Sequence, residues 1–104
     1  MKICEIVRQG IVFSLLFLCS IAAANEKDNC WYSAAIRYSV SPHILYAIAS
    51  KESSLNPSAV GKNANGTHDI GLMQINSVWL PELKKFGITK DMLFDPCTNI
   101  NVGA

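Results

Sequence analysis

The chain has 104 residues, half of them hydrophobic, and a formal net charge of +1. This balance offers no electrostatic case for nucleic acid or an anionic membrane as partner. The length holds one small domain and excludes a second.

Lys2 and Arg8 flank the start of an apolar stretch, Ile11 to Ala24, that ends in the small residues Ala22-Ala23-Ala24. A charged start, an apolar centre and a small-residue cleavage site are the three parts of an export signal. The stretch is 14 residues long, short of the roughly 20 that cross a bilayer. Cys19 follows Leu18 rather than the small residue that lipid attachment favours. The expectation is therefore a signal peptide over 1–24, cleavage before Asn25, and a domain over 25–104 with no stable membrane span. Lys2, Arg8 and Glu5 leave with the signal, which brings the remaining charge to zero.

Cys30 and Cys97 are then the one cysteine pair left. In the oxidising compartment to which an exported chain goes, such a pair favours a disulfide over a reactive thiol or a metal site. No CxxC or HxxxH spacing argues for a metal, and no cofactor motif is present.

Asn29 to Val40 places Cys30, Ala34 and Tyr38 four apart, with Trp31 and Ala35 beside them, which predicts an amphipathic helix. Ser41-Pro42 restarts the chain as N-cap and first helical residue, and a second helix is predicted from Pro42 to about Ser53. Its apolar stripe is Ile44, Leu45, Ile48 and Ala49, and one further step of four from Ile48 reaches Glu52. Asn56-Pro57 to Asp69 is rich in turn formers without periodicity and reads as a long surface loop. Ile70 to Asn76 is an apolar run carrying two amides, either a short strand or an irregular buried segment. Pro81 to Phe86 reads as a short helix stopped by Gly87, Thr89 as the cap of another turn through Leu93, and Asp95-Pro96 as the start of a last helix.

Two groups of residues carry chemistry. A carboxylate that protonates a leaving oxygen near neutral pH gains from partial burial, which disfavours its charged form. Glu52, on the continuation of the Ile44 and Ile48 stripe, is placed for that, although a glutamate at a helix end is more often solvated or a capping partner. Gly71 allows close backbone approach, Gln74 and Asn76 alternate as amides, and Leu72, Met73 and Ile75 form an apolar wall. That surface suits a neutral, hydroxyl-rich and acetamido-rich sugar; taken alone the segment reads better as a buried strand with two satisfied amides. His43 and His68 read as exposed bystanders, and Trp31 and Trp79 as core residues.

Glu52-Ser53-Ser54-Leu55-Asn56-Pro57 followed by Gly71-Leu72-Met73-Gln74-Ile75-Asn76 resembles the paired signature of soluble lytic transglycosylases with a goose-lysozyme-like domain. Asp69-Ile70 before the glycine, Ser77-Val78-Trp79 after it and Asp95-Pro96-Cys97-Thr98-Asn99-Ile100 further on are similar to the small transglycosylases that accompany type III and type IV secretion and conjugation systems. The resemblance covers essentially all of 25–104. It implies a mainly α, lysozyme-like α+β domain, Glu52 as acid and base, Ser53 and Ser54 shaping its surroundings, and Gln74 and Asn76 contacting the glycan. Peptidoglycan strands would be the substrate, proteins of the secretion or conjugation apparatus the partners, and the periplasm the site of action. Family members carry an Ala-Tyr-Asn motif after the last helix. It does not occur before Ala104, so a domain lacking its C-terminal helices is expected.

Such an enzyme cleaves the MurNAc-GlcNAc β-1,4 bond without water, leaving a 1,6-anhydromuramoyl end. The rival is a hydrolytic muramidase, because Asp69 precedes a Gly-Leu-Met-Gln-Ile-Asn segment that also resembles the region where animal lysozymes place their second carboxylate. Asp69 is equally suited to cap a turn. A third reading keeps the fold as a glycan-binding or assembly module without catalysis.

Overall fold

The computed structural model describes residues 29–104. The signal peptide expected over 1–24 and its cleavage before Asn25 lie outside the described residues.

Helix α1 spans Cys30–Tyr38. The Asn29 side chain caps it by accepting from the Tyr32 amide at 3.3 Å, and Ser39 ends it in the left-handed region. Helix α2 spans Pro42–Ser53 and begins at the predicted Ser-Pro pair. Ser41 is extended but its side chain makes no capping bond, so the start rests on the preset φ of Pro42. Two successive left-handed residues, Ser54 and Leu55, close α2, their amides returning to the carbonyls of Ser50 and Ala49.

Half of the predicted α2 stripe is buried and half is not. Leu45 and Ala49 are buried, whereas Ile44 and Ile48 are 58% and 40% exposed and Glu52 lies outside. Ala34, Ala35 and Ala49 share one cluster with Leu45, Leu72, Met73 and Ile100. Small residues let α1 and α2 pack closely, so the helix turns its alanine inward and leaves its larger branched neighbours outside.

The long loop expected from Asn56 to Asp69 is instead mostly a β-hairpin. Strands β1 (Val60–Lys62), β2 (His68–Ile70) and β3 (Ile75–Asn76) form an antiparallel sheet in that order. Gly61 faces Asp69, and Asp69 in turn faces Asn76. The turn before β2 is closed by backbone bonds between Asn63 and Thr67 and between Gly66 and Asn63, with Gly66 at φ 87°. The Ile70–Asn76 run resolves into the end of β2, a turn over 71–74 and β3.

A 3-10 turn over Ser77–Trp79 leads into the short helix α3 (Leu80–Lys84), one residue earlier at its start and two shorter at its end than read, followed by a turn that closes at Gly87 with φ 75°. A second 3-10 segment, Asp91–Phe94, follows Thr89, whose hydroxyl accepts from the Met92 amide. Helix α4 (Pro96–Gly103) starts as expected, with Asp95 Oδ2 accepting from the Thr98 amide at 3.0 Å. The Cys30–Cys97 disulfide, with Cα atoms 5.3 Å apart, ties the first turn of α1 to that of α4. Among the described residues no helix is long and apolar enough to cross a membrane.

Candidate active site

Glu52 is carried on the last turn of α2, exposed rather than half-buried. The expected apolar shelter is absent because the helix buries the 45–49–53 row, not 44–48–52. Its neighbour Ser53 is half-buried on the inward row. Ser53 Oγ lies 2.8 Å from the Leu72 carbonyl oxygen and 3.1 Å from that of Ala49, so its hydroxyl ties the end of α2 to the 71–74 turn. Ser54 is the exposed left-handed residue that reverses the chain after the glutamate. Glu52 makes no salt bridge among the described residues, where the ion pair present is Lys85 with Glu82.

Asp69 is the opposite case. Its Oδ2 accepts from Asn63 Nδ2 at 3.1 Å and its Oδ1 from Asn76 Nδ2 at 3.0 Å. Both oxygens thus hold the hairpin turn and β3 onto β2. The same Asn76 donates to Thr67 Oγ1 and accepts from the Val78 amide, which caps the following 3-10 turn. Asn76 is therefore engaged within the fold, rather than held out as a free amide.

Gln74 adopts a left-handed conformation, φ 53°, and its Nε2 donates to the carbonyls of Gly71 and Ala59. Those bonds leave Oε1 as the atom of the carboxamide without a donor among the described residues. The apolar wall expected from Leu72, Met73 and Ile75 is only one-third correct. Leu72 and Met73 lie in the core, and Ile75 faces a cleft. Gly71 does provide close approach, but to the protein itself. A Cβ there would meet the Asn99 carboxamide and come within 2.6 Å of the Leu93 carbonyl oxygen.

The cleft has a volume of about 490 Å³ and is lined by Gln74, Ile75 and Asn76 on one side and by Trp79, Leu83 and Phe86 on another. Trp79, expected in the core, is 57% exposed here, and Phe86 is 78% exposed. Trp31 does pack inward, edge-on to Tyr46 with ring centroids 5.4 Å apart. His43 is exposed as expected, while His68 is half-buried within β2. The two amides and Trp79 are thus gathered at one cleft. Glu52 does not line it and is related to it through Ser53 and the 71–74 turn. Trp79 is the site-lining aromatic that the sequence reading set aside; its place three residues after Asn76 was the available signal. Among the described residues no group of His, Cys, Asp and Glu side chains could hold a metal ion.

Helices framing a small antiparallel sheet, with a free glutamate at the end of the second helix, define a lysozyme-like α+β domain. The chain belongs to the transglycosylase SLT domain family, whose family model matches residues 29–104. It is 47% identical over 77 residues to the invasion protein IagB of Salmonella typhimurium, covering 73% of this chain and 48% of that protein. It is 40% identical over 93 residues to the protein IpgF of Shigella flexneri, covering 88% of this chain and 60% of the relative. A peptidoglycan-binding-like protein of Escherichia coli O157:H7 is 40% identical over 104 residues, covering 89% of this chain and 62% of its own length. The chain thus spans about half to three-fifths of these relatives.

Proposed function

We propose that this protein is a lytic transglycosylase that cleaves the MurNAc-GlcNAc β-1,4 bond of peptidoglycan, with Glu52 as the acid and then the base. The observation that carries this reading, within the family, is the contrast between two carboxylates. Asp69 has both oxygens committed to the hairpin, and Glu52 is accessible and without a salt bridge.

A single carboxylate suffices when the sugar supplies its own nucleophile. Glu52 gives its proton to the glycosidic oxygen as the anomeric carbon–oxygen bond breaks. The 6-hydroxyl of the muramoyl residue then forms the new bond to that carbon, and its proton passes to the Glu52 carboxylate. The product is a 1,6-anhydromuramoyl end, and the enzyme regains its starting proton. A glycan strand laid over the α2 terminus excludes water from the reacting bond. Gln74 Oε1 accepts from a sugar hydroxyl or amide, and Trp79 offers its face to a ring. Family resemblance adds Ser53, Ser54 and Asn76 as shapers of the same surface.

The relative named peptidoglycan-binding-like supports the substrate. The resemblance of the Asp69-to-Ile100 motifs to the small transglycosylases of secretion and conjugation systems supports service to such an apparatus, whose passage through the wall needs local opening; one relative is named an invasion protein. Such service places the protein in the periplasm after removal of residues 1–24. N-terminal sequencing of periplasmic protein is expected to begin at Asn25, and a sequence beginning at Met1 refutes cleavage.

The deciding experiment is product analysis of digested sacculi by mass spectrometry. Anhydromuramoyl ends are expected. Reducing ends would make the protein a hydrolase, and binding of sacculi without any release would leave it a glycan-binding module.

A further inference from the structure

Asn99 is fully buried, at 0% exposure, beside the buried Ile100 on α4. Its carboxamide bonds to three backbone groups in two segments, 70–73 and the end of the second 3-10 turn at Leu93. Oδ1 accepts from the Met73 amide at 2.7 Å, and Nδ2 donates to the carbonyls of Ile70 at 2.9 Å and Leu93 at 2.8 Å. Both of its N–H groups are thereby used, in surroundings where an unmade bond is costly.

Two of these bonds grip the 71–74 turn, one at Ile70 just before it and one at Met73 within it, and the turn has left-handed residues at both ends, Gly71 at φ 74° and Gln74 at φ 53°. A turn of this kind persists when its surroundings hold it. Asn99 holds it from α4, and Ser53 holds it from α2 through the Leu72 carbonyl. Glu52 is adjacent to the second hold, and Gln74 is the last residue of the turn.

We infer that Asn99 is a positioning residue for the reaction: with Ser53 it clamps the 71–74 turn between α4 and α2, fixing Gln74 and the glycan-facing segment relative to Glu52. A leucine would fill the volume of Asn99 as well, but only a carboxamide can accept from Met73 while donating to two carbonyls. The inference rests on the proposed function, because it concerns the geometry of that same site.

The test uses the full-length protein, soluble glycan fragments as substrate, and three variants: Ser53→Ala, Asn99→Asp and the double variant. Asn99→Asp keeps the shape and the acceptor but removes both donors. Each single variant is expected to lower kcat about ten- to a hundredfold, the scale of a slight misplacement of reacting groups, with KM changing by less. The double variant is expected to lose less than the product of the two single losses, since both act on one turn. A folded Asn99→Asp protein with wild-type kcat, or losses that multiply, overturns the inference. Where Asn99→Asp does not fold, Ser53→Ala alone decides: a fall confined to kcat supports the clamp, and unchanged kcat overturns it. A wild-type protein that releases no glycan ends defeats the proposed function itself, whereas an active wild type with unaffected variants defeats only the clamp.

Discussion

Replacing Asp69 by asparagine separates a hairpin anchor from a second catalytic carboxylate. In the wild type, Asn63 and Asn76 each donate to one of its oxygens. The substitution turns two charge-assisted bonds into at most one neutral bond, because one oxygen becomes a donor facing a donor. Charged hydrogen bonds contribute about 1.5–3 kcal/mol each, and Asp69 is half-buried, so solvent screening reduces that figure. The expected destabilisation is ~1–2 kcal/mol, which for a domain of this size lowers Tm by roughly 5–15 °C. Cleavage measured well below the new Tm should fall by less than tenfold. Glu52→Gln, by contrast, removes the transferable proton and should cost about 10² to 10⁴ in rate, equivalent to roughly 3–5 kcal/mol of transition-state stabilisation. An Asp69→Asn protein with unchanged Tm and a rate loss equal to that of Glu52→Gln would refute the anchor assignment and make Asp69 the second carboxylate of a hydrolase.

Other outcomes follow from the same geometry. Replacing Cys30 and Cys97 by serine opens a loop with a sequence separation of 67; chain entropy sets the loss at ~4 kcal/mol, readable as a shift in the urea midpoint, and a loss under about 1 kcal/mol would refute it. Gly71→Ala forces a Cβ onto the Asn99 carboxamide at a positive φ, and should destabilise by about 2–4 kcal/mol; thermal melting at wild-type temperature would contradict the packing described. Trp79→Ala should leave stability within about 0.5 kcal/mol yet weaken binding of glycan fragments by roughly 0.5–1.5 kcal/mol, so calorimetry showing unchanged affinity would remove Trp79 from the cleft's function.

Helix starts were legible because they depend on local chemistry. Ser41-Pro42 and Asp95-Pro96 both begin helices where read, since the φ of proline acts within one turn, joined at Asp95 by a side-chain acceptor that Ser41 does not supply. The disulfide was legible by compartment and number. The hairpin was not, because strands of two or three residues such as Val60-Gly61-Lys62 carry no alternating pattern. What holds them is a side-chain network among Asn63, Thr67, Asp69 and Asn76, and polar residues of that kind read as loop. Of the predicted α2 stripe Leu45 and Ala49 are buried while Ile44 and Ile48 are not, because packing against the alanines of α1 selects the Ala49 side of the helix. Asn99 escaped notice since asparagine is mostly an exposed residue, and its three partners lie as far as 29 positions away in the chain.

The Cys30–Cys97 bond makes residues 30 to 97 a closed covalent ring. A pull applied at Asn29 and at Ala104 would travel through the sulfur bridge and the body of α4, and the ring between them would bear no tension. Glu52, the hairpin and the 71–74 turn all lie inside that ring, mechanically shielded. The same closure governs cutting: a protease that nicks the exposed Ala64-Asn65-Gly66 tip yields two pieces that stay one molecule until a reductant separates them.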